Sequence, residues 1–441
     1  MTTNTKSPSV PPKLAIANSA AVLVAASQSA FVPPAPLTTF DCPAWPPPAF
    51  LKGKGADFVA PRPLTRIPLL PSELLAQHHC FIGTDTRFRA AARFLQSLWR
   101  TDAKIAIGIH FSPTGDDKRT RIKLGSRLHL KPAQSGLNFV SPEVFQLVRR
   151  ELILREEGAV IDADRLFVNA LSSMPLSFNL LGPMALNRDL ATAVWHRLLP
   201  AFVHTVESIG FEHSPGRGEA RFLSDGTAFD AVLRVITPEG ETATVFVELK
   251  YSEAMSGPGA TLRPRHDEAS RQVRLFQQPD SPALRSLALE QLWREHMLAQ
   301  LAVDLHLTPR AHFVALGPRL NRRVSTAFRL YAAELIDSSS LDGDRVRFTP
   351  ITLEAVIEAL AEAGAVDLAR QLWFRYLDFQ RVYEQALAAD MPMVGSKRPA
   401  APSSPTPKQT SSTHPPGPVF EITLDDHDGR PRAPVADAEE S

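Results

Sequence analysis

The chain has 441 residues, a hydrophobic fraction of 44% and a formal net charge of +1, which suits one large or two medium globular domains. So small a net charge excludes bulk electrostatics as the means of holding nucleic acid, leaving only local basic patches. Two cysteines, Cys42 and Cys80, lie in separate regions, which excludes a disulfide framework or a cysteine-rich zinc site and suits a reducing, cytoplasmic setting.

Residues 1–65 are dense in Pro, Ala, Ser and Thr and are expected to stay disordered, because such sequence buries too little apolar surface to offset its ordering entropy. Leu14 to Ala26 has the outline of a secretory signal, but Asn18 and Ser19 interrupt a mostly alanine run, which reads against export. No stretch has the length and apolarity of a membrane span, so no membrane partner is expected.

Residues 66–185 read as a mostly helical region packed on the core. Arg87 to Trp99 has helical apolar spacing. A strand-like run, Lys104 to His110, leads into a basic segment containing Lys118, Arg119, Arg121 and Lys123. A solvated charged surface accounts for that segment as well as a nucleic-acid contact does. Ser141-Pro142-Glu143 is a good helix start, with a cap and proline at the first helical position. Arg165 to Leu181 reads as partly helical, with Phe178 and Asn179 in a turn that ends it near Gly182-Pro183.

Residues 186–390 read as the core. Asn187 to Ser208 is expected as one long amphipathic helix closed by Gly210. Two strands follow, Phe229 to Ile236 and Thr244 to Lys250, then helices near 268–276 and 281–305. A strand at Arg310 to Leu316, a helix at 325–336, a strand at Arg345 to Ile351 and helices at 353–363 and 366–388 complete it. This order indicates a mixed α/β layer fold, a small mixed sheet flanked by helices. Residues 391–441 read as a second disordered tail, with Val419 to Leu424 as its one strand-like stretch.

The first two core strands carry the chemistry. Pro238-Glu239-Gly240 reads as a three-residue hairpin loop in which glycine supplies the positive φ. That loop pairs Thr237 with Glu241 and sets Asp230 opposite Glu248. Ala231, Leu233 and Val235 then share a uniformly apolar face with Val245, Val247 and Leu249. The other face gathers Asp230, Arg234, Glu248 and Lys250. Buried charges cost several kcal/mol unless compensated, and a divalent metal with a phosphate would compensate this set. The competing reading is a cross-strand salt bridge on a solvated face.

These residues and the element order resemble the PD-(D/E)XK nuclease superfamily. The Asp230…Glu248-Leu249-Lys250 set stands where that family has its acidic strand residue and E-x-K. The segment Arg165 to Pro183 and the helix with Gln291-Leu292-Trp293-Arg294 are similar to bacterial restriction endonuclease-like proteins. The proline of the family's name is replaced by Phe229. The resemblance implies a restriction endonuclease-like core and Mg²⁺-dependent hydrolysis of DNA, with Mn²⁺ as a substitute and a homodimer left open. It implies Asp230, Glu248 and the Leu249 carbonyl as metal ligands and Lys250 as the group that holds water or stabilises phosphate charge. Glu207, expected near the end of the long helix, would match a further glutamate that several members add. Gln272, Gln291, Arg294 and Arg234 are the candidate substrate contacts. A binding protein of the same fold without catalysis, and a nuclease acting on RNA, are the alternatives.

Overall fold

The computed structural model describes residues 64–390, apart from 115–117, 258, 337–342 and 344. Almost all of both expected tails, including Leu14 to Ala26 and Val419 to Leu424, lies outside the described residues.

In chain order, α1 (Ser72–Gln77) and α2 (Arg87–Asp102) precede a two-stranded ribbon, β1 (Ile107–Thr114) and β2 (Lys118–Leu128). After α3 (Leu130–Gln134) and α4 (Pro142–Leu154) comes a π-helical turn at Asp164–Val168, then α5 (Ser173–Leu186) and α6 (Arg188–Leu198). The main sheet begins with β3 (Thr205–His213), β4 (Phe229–Ile236) and β5 (Thr242–Leu249). Helices α7 (Pro264–Gln272) and α8 (Glu290–Asp304), strand β6 (Ala311–Gly317), α9 (Arg322–Glu334) and β7 (Arg347–Thr352) follow. The described chain closes with α10 (Leu353–Glu362), α11 (Val366–Tyr376) and α12 (Phe379–Asp390).

The five strands lie in the order β3-β4-β5-β6-β7. The first three are antiparallel, and β6 and β7 join in parallel. The β4–β5 hairpin has the expected register: Ala231 pairs with Val247, the Thr237 N–H donates to the Glu241 carbonyl, and Gly240 has φ +84°. Its apolar face, with Leu233, Val235, Val245 and Leu249, is buried in one core with α2, α5, α6, α10 and α11. The opposite face packs Phe246, Phe313 and Ala315 into a second core with α7, α8 and α9. The sheet is therefore sandwiched between two helical layers.

Two expectations are corrected. The long helix expected over 187–208 ends at Leu198, capped at its start by Asn187, and the chain turns into β3. A bulge between Val206 and Ser208 breaks the alternation of β3, so Val206 and Ile209 stand three apart, a spacing that imitates a helix. Gly210 is a residue of that strand, not a helix stop. Helix α5, in turn, does not end at Gly182-Pro183 but runs to Leu186 with Pro183 inside it. Gly182 sits against Val144 and Leu147 of α4, a close approach that a side chain would crowd. Asn179 is fully buried and tertiary in role: it accepts from the Val140 N–H and donates to the Asn138 carbonyl and the Tyr376 hydroxyl.

Candidate active site

The hairpin ends where the sheet meets α8. Register places Asp230 of β4 opposite Glu248 of β5, one step beyond the Ala231–Val247 pair. Glu212 of β3 falls between the pairs Phe211–Ala231 and His213–Phe229, opposite Asp230 on its other side. Three carboxylates thus form a row across three adjacent strands. Glu212 is invisible in the sequence as long as residues 205–208 read as helix.

Lys250 follows β5 and is buried with Glu248. Its Nζ lies 2.5 Å from Glu248 Oε1 and donates to Gln291 Oε1 at 2.6 Å. Gln291 Nε2 donates to Glu248 Oε1 and to Glu295 Oε1, both at 2.8 Å. Gln291 and Glu295 are four apart on α8 and so share a face. The Leu249 side chain enters the core while its N–H donates to Asp230 Oδ2 at 2.7 Å.

Arg294 reaches the same cleft under tight restraint. Its Nε bonds Glu290 Oε2 at 2.9 Å, and its Nη1 bonds Thr227 Oγ1 at 2.6 Å and Asp225 Oδ2 at 3.3 Å. Asp225 also takes Nε2 of the buried His266 at 3.0 Å. These long-range partners leave no short sequence signature.

The remaining candidates are placed elsewhere. Glu207 is an exposed residue at the β3 bulge, not on a helix, and does not line the cleft. Gln272 is exposed at the end of α7, where it accepts from Arg265 Nη2 at 2.9 Å. Arg234 shares the Asp230 face but lies four residues along β4, about 13 Å away, and lines a neighbouring hollow with Val232 and Thr244.

The cleft has a volume of about 580 Å³. Glu212, Asp225, Asp230, Glu248, Glu253 and Glu295 line it against Arg165, Lys250, Arg263 and Arg294, an excess of negative charge. Burial, then the Glu248 charge, push the Asp230 carboxyl well above the usual carboxylate range. The same two causes raise Glu295. Burial pushes Glu212 up to about 7, against the pull of Arg217. Burial works against the Lys250 ammonium, yet Glu248, Glu295 and Glu253 hold its pKa above the ordinary lysine value. Burial opposes the Asp225 carboxylate too, but hydrogen bonds from His266 and Thr227 bring it down to about 2.

This donor set suits a hard cation. Carboxylates that raise one another's pKa lack positive charge, and Glu295 Oε2 is buried without a hydrogen-bond partner. Among the described residues no three His, Cys, Asp or Glu side chains are drawn close enough to cage a metal alone. The chemistry fits an open site that shares its ion between carboxylates, a backbone carbonyl and water, as Mg²⁺ prefers.

A mixed five-stranded sheet between helical layers, with two carboxylates and a lysine at the end of its central hairpin, defines a nuclease-like α/β protein. The family model of the PD-(D/E)XK nuclease superfamily matches residues 83–378, and the chain belongs to that superfamily. Its members are generally nucleases and typically use divalent metals. Comparison with curated proteins and with solved structures gives no match. Among the described residues no helix is long and apolar enough to cross a membrane.

Proposed function

We propose that this chain is a Mg²⁺-dependent nuclease that hydrolyses phosphodiester bonds of DNA. The supporting observation is the clustering of Asp230, Glu248, Lys250 and Gln291 in one polar cleft beside surplus carboxylate charge. Asp230 and Glu248, with the Leu249 carbonyl, would hold the ion, with Mn²⁺ as a substitute. When bound, it supplies an acidified water and neutralises phosphate charge. Lys250 presents a charged ammonium to the phosphoryl oxygens, where charge builds in the transition state. Gln291 fixes that ammonium from the helix side, and Arg294, braced by Glu290 and Asp225, offers a second cation to the phosphate.

The test is incubation of the purified chain with plasmid and linear DNA in Mg²⁺, Mn²⁺ or EDTA, beside Lys250→Ala and Asp230→Asn. We expect cleavage with either metal, none in EDTA and none with either variant. Discrete fragments from linear DNA would mark sequence-specific cutting of the restriction type. Cleavage that survives both substitutions would sink the assignment of the site, and cleavage of RNA in place of DNA would redirect the substrate.

A further inference from the structure

The β1–β2 ribbon is not part of the main sheet, and its chemistry is not used by the cleft. Its register pairs Phe111 with Arg121 and Ile109 with Lys123. Paired residues two apart along each strand share a face, so these four side chains form one surface. All four are exposed, Phe111 by half of its area, which is unusual for aromatic side chains in a ribbon with a core to join. The opposite face turns inward, with Leu124 buried. The Arg121 guanidinium lies 5.6 Å from the Phe111 ring centroid. Among the described residues neither Arg121 nor Lys123 is in an ion pair, whereas most arginines lining the catalytic cleft are tied to neighbouring groups.

The ribbon is also anchored to the cleft. The buried Arg127 of β2 donates from Nε to the Ile109 carbonyl at 3.0 Å and pairs through Nη2 with Asp164. The next residue in the π-helical turn, Arg165, lines the cleft wall. Gly108 holds the ribbon's base, since a Cβ there would lie 2.2 Å from the Leu128 carbonyl oxygen.

We infer that the exposed face of this ribbon is a second nucleic-acid contact, which holds the phosphodiester backbone outside the catalytic cleft. Two cations without an ion pair among the described residues and an exposed aromatic, with no carboxylate among the four, complement a polyanion with stacking bases. A two-stranded ribbon also has the dimensions to enter a major groove. The choice of polymer rests on the proposed nuclease function, but the binding does not require cleavage.

The test is fluorescence anisotropy of the full chain with a labelled duplex of about 30 base pairs in EDTA, across a salt series. Arg121→Ala/Lys123→Ala should flatten the log K against log salt slope by about 2, about one for each phosphate no longer neutralised. Arg121→Lys/Lys123→Arg, which keeps both charges, should retain the wild-type slope; it guards against a folding artefact, as does an unchanged melting temperature of the double alanine variant. A wild-type slope in the double alanine variant overturns the inference. So does loss of binding to phosphatidylserine vesicles with DNA binding intact, which would mark a membrane surface. A wild-type chain that binds through the ribbon yet never cuts would overturn the nuclease function alone.

Discussion

At the scale of single residues, the cleft holds buried carboxyl groups at a cost in stability. Asp230 is held among like charges, with burial and Glu248 both working against its ionised form. Asn keeps the shape and an acceptor oxygen but removes the charge. We therefore expect Asp230→Asn to abolish cleavage while raising metal-free stability by about 1 kcal/mol, since sites strained for function are relieved by neutral replacements. Thermal melts in EDTA check this, and an unchanged or lower melting temperature would show that the carboxylate is not strained. Asp230, Glu248 and Lys250 are legible as a set because E-x-K sits in an alternating strand whose other face is wholly apolar. Lys250 stands out for that reason, whereas Gln291, which fixes it, and Glu295, which accepts from Gln291, depend on how α8 docks.

At the scale of elements, tertiary contacts override local signals. The hairpin obeys its turn chemistry, but β3 is hidden by one extra residue at its bulge, and Glu212 is hidden with it. The Gly182-Pro183 pair looks like a helix stop because proline removes a donor and crowds the preceding turn. Helix α5 continues because its buried face is held by α4 and by Asn179. That side chain joins α5 to Val140, to Asn138 and to Tyr376 of α11. The same Asn138 accepts from the buried Arg375, whose guanidinium lies 3.7 Å from the Trp99 ring centroid. Asn179→Ala would leave several buried polar groups unpartnered, at a cost of about 3 kcal/mol. Urea denaturation should show it as a lower midpoint with little change in slope. A shift below about 0.5 kcal/mol would mean that water replaces the side chain.

At the scale of the whole molecule, two cores share one sheet, and each holds its polar groups at fixed positions. His296 is buried against Phe313 and Tyr331 of the second core, and His312 is buried on the opposite face of the sheet, against Phe202 of the first. Burial pushes His296 down to about 4 and His312 down to about 3. In the unfolded chain both imidazoles take up protons near pH 6.5, while the folded chain does not until pH falls much further. The unfolded state therefore binds more protons between about pH 6.5 and 4, so stability declines as pH drops through that window. Each histidine contributes up to about 1.4 kcal/mol per pH unit there. His312→Gln should flatten this decline by about one proton's worth, measured as denaturation free energy at pH 4.5, 5.5 and 6.5. An unchanged slope would mean that His312 is protonated in the fold.

One hydrogen bond of the cleft also belongs to the architecture. The main-chain ladder between β4 and β5 reaches Ala231 and Val247, and beyond it the Leu249 amide is held by the Asp230 side chain. The carboxylate thereby serves as a rung of the sheet, splicing the end of the strand that delivers Glu248 and Lys250. An alanine at position 230 removes charge and rung together and strips the Leu249 amide of its partner on the β4 side, while β6 still holds the other edge of that strand. Asparagine removes the charge and leaves the splice, so only the asparagine variant separates lost chemistry from lost scaffolding.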